Sequence, residues 1–364
     1  MKTVPQLRAQ LAEQWRQLNS AGRKSLQLME VCGTHTVAAS RGGLHEILPA
    51  GLRLVSGPGC PVCVTDQTYM DRCVHLARNF PQVVIASYGD MLRVPGKLGS
   101  LEEARSAGAA VEIVYAAHEA VALAQRRPDR EVVFLGVGFE TTTPGVALAV
   151  LQARTAGVRN FSVLSAHKLV APAMRALLGG QDVRIDGYLC PGHVSVILGW
   201  RAYQSLVDEF RRPCVVAGFD EEQILLGVSE ILRQIIAGSP AACTVYPVVS
   251  EGGNARARQI VDQVFEPVDT PWRALGVIPK SGLALRAELA DFDAARRFSL
   301  PEFESYELPG CRCGQVITGR CLPTDCPLFG STCTPARPVG PCMVASEGTC
   351  QAFFKYRRTG KAKA

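Results

Sequence analysis

The sequence predicts an α/β protein: two similar parallel-sheet units and a third, cysteine-rich α+β region. Three observations lead there. Apolar, β-rich runs alternate with helical patterns from about residue 52 to 250. From Leu300 onward periodicity disappears under Pro, Gly and Cys. Seven of the 14 cysteines crowd between Cys311 and Cys350.

Expected strands are Leu52–Ser56, Val83–Ser87, Val111–Tyr115, Val132–Val137, Ser162–Ser165, Ile185–Leu189 and Cys214–Ala217. Between them lie helical stretches such as Asp66–Arg78, His118–Arg126, Gly145–Ala156 and Glu221–Ile236. Buried apolar strands alternating with helices indicate parallel sheets covered on both faces. The segments Val137-Gly-Phe-Glu-Thr and Ala217-Gly-Phe-Asp-Glu suggest an internal repeat. The expected division is 40–125 for the first α/β unit, 126–235 for the second, and 1–39 with 236–364 for the third. An N-terminal helix, about Val4–Leu18, is expected to pack on that third region.

Composition narrows the function classes. The 364 residues are 47% hydrophobic and 20% charged, an ordinary globular chain large enough for several cores. No stretch approaches the roughly 18 apolar residues of a membrane span, and the start MKTVPQLRAQ lacks an apolar signal core. A cytoplasmic protein is expected. Of the net charge of +6, five basic residues lie in the tail 355–364; without them 34 basic face 33 acidic residues. No basic stripe with interleaved aromatics reads a nucleic acid. Neither nucleic acid nor membrane is an expected partner.

Fourteen cysteines in a reducing compartment point to metal or redox chemistry rather than a disulfide framework. In open α/β sheets ligands bind beyond the carboxyl ends of the strands, and here those loops are chemically loaded. Gly57-Pro-Gly-Cys-Pro-Val-Cys63 follows one strand, with Thr65 and Asp66 as helix caps. Cys60 and Cys63 form a C-x-x-C pair at a helix start, where the helix dipole favours thiolate for disulfide exchange or metal binding. Two buried small residues at a turn are the bland alternative.

Val31-Cys-Gly-Thr-His-Thr36 sets Cys32 and His35 three residues apart, a thiol with a neighbouring donor suited to one soft or borderline metal. A buried Cys and a hydrogen-bonded His would give the same spacing. His193, in Cys190-Pro-Gly-His-Val-Ser195, is a candidate ligand or proton donor. Glu140, before three threonines and Pro144, resembles a helix start. His45, His75, His118 and His167 have no supporting context.

The Cys326-x6-Cys333-x8-Cys342-x7-Cys350 series, with Cys311, Cys313 and Cys321 upstream, is the most specific signal. Four thiolates hold zinc or an iron–sulfur cluster. The gaps are wider than the short knuckles of zinc sites, which favours [4Fe–4S]; structural zinc is the alternative. Cys326, Cys333 and Cys350 are the leading ligands, and Cys342 competes with Cys311 and Cys313 for the fourth place.

Together these segments resemble the HypD family of hydrogenase maturation proteins. The matching runs are Cys32-Gly-Thr-His-Thr, Gly57-Pro-Gly-Cys-Pro-Val-Cys-Val-Thr, Gly138-Phe-Glu-Thr-Thr-Thr-Pro, Cys190-Pro-Gly-His-Val-Ser, Cys326-Pro-Leu-Phe-Gly and Gly340-Pro-Cys-Met-Val-Ala-Ser-Glu-Gly-Thr-Cys350. Val37 and Ala345 are minor departures that leave every thiol in place. The resemblance implies assembly of the Fe(CN)2CO group of [NiFe] hydrogenases, with a HypC-like chaperone as partner and a HypE-like thiocyanate as cyanide donor. It also implies that Cys32 contributes to holding the iron, with His35 nearby. Cys60 and Cys63 would supply two electrons by closing a disulfide, and a C-terminal [4Fe–4S] cluster would recharge them. His193 and Glu347 would hold a cyanide nitrogen or manage protons. The competing expectation is an iron–sulfur-dependent thiol–disulfide oxidoreductase. A docking protein with only structural metal is a third class.

Overall fold

The computed structural model describes residues 3–180 and 184–357, so the basic tail from Arg358 lies outside the described residues. The chain opens a first parallel sheet with β1 (Leu26–Glu30) and β2 (Leu52–Ser56). It then builds a second: β3 (Val83–Ser87), β4 (Ala110–Ile113), β5 (Glu131–Gly138) and β6 (Phe161–His167), in the order β4-β3-β5-β6. It returns with β7 (Gly187–Pro191), β8 (Cys214–Ala217) and β9 (Ala242–Thr244), completing β2-β1-β7-β8-β9. Every expected strand is present, with ends displaced by at most two residues. Apolar runs such as Val83-Val-Ile-Ala-Ser are buried throughout because helices cover both faces.

In both sheets the first strand to form lies between the second and the third, which makes the two units alike. The strands nevertheless sort differently from the expected division at 125 and 126. β5 and β6 complete the sheet of β3 and β4, whereas β2 pairs with β1, and β1 in turn with β7. Alternation reveals that strands exist, not which sheet each joins, and the crossing leaves no compositional mark. The suggested repeat falls on non-equivalent strands, the third of one sheet (β5) and the fourth of the other (β8).

The N-terminal helix Val4–Ser20 also departs from expectation. Its Leu7, Leu11, Trp15 and Leu18 pack with Ile224, Leu225, Val228 and Leu232, on the helix Glu221–Ala237 that covers the first sheet. Arg8 pairs with Glu221 at 2.7 Å, and Gln10 donates to the Ser229 hydroxyl at 2.8 Å.

After residue 264 come an antiparallel hairpin, β10 (Phe265–Trp272) and β11 (Gly276–Leu285), and then the cysteine-rich segment. That segment has short helices, Cys313–Ile317, Pro341–Val344 and Thr349–Tyr356. It has no core of its own: Val316, Ile317 and Met343 join one buried cluster with Cys60, Cys63 and Trp272. Among the described residues no helix is long and apolar enough to cross a membrane.

Candidate thiol site at the carboxyl ends of the sheets

The order of the first sheet reverses between β1 and β7, so a crevice opens beyond their carboxyl ends. The loop after β1 carries Cys32 and the loop after β2 carries Cys60. Gly57 donates to the Glu30 carbonyl at 2.7 Å, and Gly33 donates to the Gly59 carbonyl at 3.0 Å. A Cβ on Gly59 would lie 2.2 Å from the Cys32 nitrogen, so only glycine permits this approach. Cys60 and Cys63 are joined in a disulfide, Cα atoms 5.2 Å apart, on the helical turn Pro61–Val64. Asp66 caps the next helix through the Thr68 amide at 3.0 Å, as expected, while the Thr65 hydroxyl turns back to the Pro61 carbonyl.

Cys32 is buried, and burial pushes its thiol up to about 12, helped by the nearby Glu347 charge. Amides of His35 and Thr34 and the Thr34 hydroxyl oppose this. The group is therefore a neutral thiol, which would have to release its proton to bind a metal. Glu347 lies close by: the Thr34 hydroxyl donates to Glu347 Oε1 at 2.7 Å, and a Cβ on Gly33 would lie 2.5 Å from the Glu347 Cβ. Next door, the amide and hydroxyl of Ser346 donate to Asp90 at 3.2 and 3.3 Å, just after β3. The C-terminal segment thus clasps the carboxyl ends of both sheets.

His35 Nε2 donates to the carbonyls of Gly218 (2.9 Å) and Ala217 (3.2 Å), which fixes the tautomer because carbonyls only accept. Burial lowers its pKa to about 4, so the ring is neutral, and Nδ1 has no hydrogen-bond partner among the described residues. Phe219 lies between His35 (ring centroids 5.0 Å) and the exposed His193 (4.1 Å, stacked). His35 and His193 thus meet at one aromatic ring after β8, and His193 marks the solvent side.

Sequence reasoning missed Glu30, Asp90, Phe219 and Arg273. Glu30 ends β1, a strand that was not expected; its side chain accepts from Ser56 at 2.9 Å, and burial raises its pKa to about 7. An acid closing the run Leu-Gln-Leu-Met-Glu was the available signal. Arg273, in the hairpin turn, donates from Nε to the Cys63 carbonyl (2.9 Å), from Nη2 to that of Thr65 (2.8 Å) and from its amide to that of Val64 (2.9 Å). No motif announced it.

Cys311, Cys313, Cys326, Cys333, Cys342 and Cys350 line one small cavity. Cys321 lines a different one, beside Leu322 and Asp325. Among the described residues no three His, Cys, Asp or Glu are arranged to hold a single metal ion; the six thiols surround a volume instead. The residues fit an iron–sulfur cluster on their chemistry. Every donor is sulfur, and backbone amides of Cys350 and Val339 donate to the sulfurs of Cys342 (3.2 Å) and Cys333 (3.3 Å). A hydrogen bond to Cys313, then burial, holds the Cys311 thiol well above its ordinary range. Thiols packed this closely ionise together only beside a compensating cation. The cavity adjoins the disulfide, because Cys313–Ile317 and Pro341–Val344 both pack on Pro61–Val64.

A family model named HypD, described as the "Hydrogenase formation hypA family", matches residues 6–357. The chain is 43% identical to hydrogenase maturation factor HypD of Escherichia coli over 357 residues, 98% of this chain and 95% of that one. It is 41% identical over 369 residues to the HypD of Azotobacter vinelandii, covering 99% of this chain and 96% of that one. A putative hydrogenase expression/formation protein of Methanocaldococcus jannaschii is 41% identical over 334 residues, 92% of each chain.

Proposed function

The chain belongs to the HypD family of hydrogenase maturation factors, and from that premise we propose that it assembles the Fe(CN)2CO group of a [NiFe] hydrogenase. It does so in the cytoplasm, docked to a HypC-like chaperone and fed with cyanide by a HypE-like thiocyanate. The iron is cargo, and Cys32 is this chain's ligand to it. The observation that carries the reading is the contact of Gly59 with Cys32, which sets the Cys60–Cys63 pair beside the proposed anchor.

The chemistry needs that proximity. With the pair reduced, one thiol attacks the sulfur of the donor's S–CN group and the second closes the Cys60–Cys63 disulfide. The donor leaves as a thiol, cyanide is released as an anion, and one proton passes to solvent, so two thiols supply both electrons. Glu347, held by Thr34, and His193, at the solvent side, would accept that proton or hydrogen-bond a cyanide nitrogen. Phe219 and the neutral His35 wall the crevice. Cys326, Cys333, Cys350 and Cys342 would hold a [4Fe–4S] cluster, which supplies single electrons to the neighbouring disulfide.

Infrared spectra of the anaerobically purified complex with a HypC-like chaperone test the reading. Cyanide and CO bands are expected, and Cys32→Ala is expected to abolish them; bands that persist in that variant would overturn Cys32 as the anchor. The disulfide itself favours a second reading, a thiol–disulfide oxidoreductase. Dithiol turnover without any cyanide or CO bands would establish that one instead.

A further inference from the structure

The turn between β10 and β11 is wedged between two sulfur centres. On one side Arg273 takes three successive carbonyls, Cys63, Val64 and Thr65, with its Nε, amide and Nη2. On the other, Ala274 rests on Gly314, next to Cys313: a Cβ on Gly314 would stand 2.3 Å from that of Ala274. Ala274 adopts a φ of 62°, which turns the chain sharply between these contacts. Arg273 is buried. A buried cation held by carbonyl dipoles gains strongly when negative charge appears beside it.

We propose that Arg273 is the positioning residue of the Cys60–Cys63 couple, locking the disulfide turn to the wall of the thiol cavity and favouring the reduced, anionic form of the pair. Reduction breaks the Cys60–Cys63 bond with two electrons from a dithiol reductant or two one-electron donations from an iron–sulfur carrier. One thiol takes a proton and the other remains a thiolate on the turn that Arg273 holds. The carbonyl contacts set geometry; the charge sets the equilibrium. This inference rests on the redox reading of the pair and not on iron carriage.

The test is a redox titration of the full chain in dithiol buffers, with the Cys60–Cys63 state read by alkylation and mass. Arg273→Gln keeps donors for the carbonyls and removes the charge; it is expected to make the pair about tenfold harder to reduce, roughly 30 mV lower in potential. Arg273→Lys keeps the charge and is expected to stay within about threefold of the parent. A Gln variant that matches the parent overturns the proposal. So does a Lys variant as displaced as Gln, which would mean that the positive charge does not set the equilibrium. If the Gln variant does not fold, Arg273→Met, which also removes the charge, takes its place and is read in the same way. Infrared bands of the chaperone complex are read separately: their absence alongside a shifted Gln potential rejects the iron-carrier reading and leaves Arg273 standing.

Discussion

Gly59 and Cys32 touch through their backbones, although they come from loops after different strands: the Gly59 carbonyl accepts from Gly33, and a side chain at 59 would strike the Cys32 nitrogen. Gly59→Ala is therefore expected to push the two loops apart. Overpacking of this kind costs about 1–3 kcal/mol. Urea unfolding should show the loss, and cyanide and CO bands of the chaperone complex should fall with it. An unchanged unfolding midpoint would mean that the loops part freely.

Glu347 raises the Cys32 thiol through its charge. Glu347→Gln is expected to lower that pKa from about 12 and to raise the thiolate fraction at pH 9 by about threefold, the equivalent of half a unit. The rate of Cys32 alkylation, followed by peptide mass, measures it. An equal or slower rate would show that Glu347 does not act on the sulfur electrostatically.

Glu140 follows β5, accepts from the Val170 amide at 3.0 Å, and has its pKa raised by burial to about 7. Between about pH 4.5 and 7 the folded chain holds this proton and the unfolded chain does not. Its contribution is thus intact below 4.5 and lost as pH rises through 7. Glu140→Gln is expected to stabilise the chain by about 1–3 kcal/mol at pH 8 and hardly at all at pH 4. Denaturant titrations at the two pH values check the sign.

Cys342 and Cys321 separate the ligand sets. Cys342→Ala is expected to lose most of the bound iron after anaerobic purification, because Cys342 lines the six-thiol cavity. Cys321→Ala is expected to keep it, because Cys321 faces elsewhere. Iron per chain, by metal analysis, decides; equal losses in both would mean that Cys321 belongs to the site.

Most of the candidate site's residues were legible because the loops that carry them have short, unusual strings. Cys32, Cys60, Cys63 and Glu347 meet as their motifs imply. What escaped were residues whose meaning is purely three-dimensional. β1 has an alternating Leu-Gln-Leu-Met-Glu pattern at odds with the solid apolar runs of the other central strands, so its Glu30 went unseen. Arg273 sits in a hairpin turn whose strands contain Pro267, Pro271 and Pro279, residues that argue against sheet. Sheet membership escaped for a different reason. Two units with the same βα texture cannot reveal from composition where the chain crosses between them.

That crossing has a consequence on the ribosome. β1 and β2 emerge first, yet their next neighbour, β7, follows only after the chain from 57 to 186 has been made. The nascent protein can finish its four-stranded unit while the earlier half-sheet still has an open edge. Chains stopped near residue 180 are expected to protect 83–167 from protease and leave 26–56 open to cleavage; the opposite pattern would mean that the half-sheet folds unaided. Cys32 and the Cys60–Cys63 turn would then mature last, once Arg273 has left the exit tunnel to secure them.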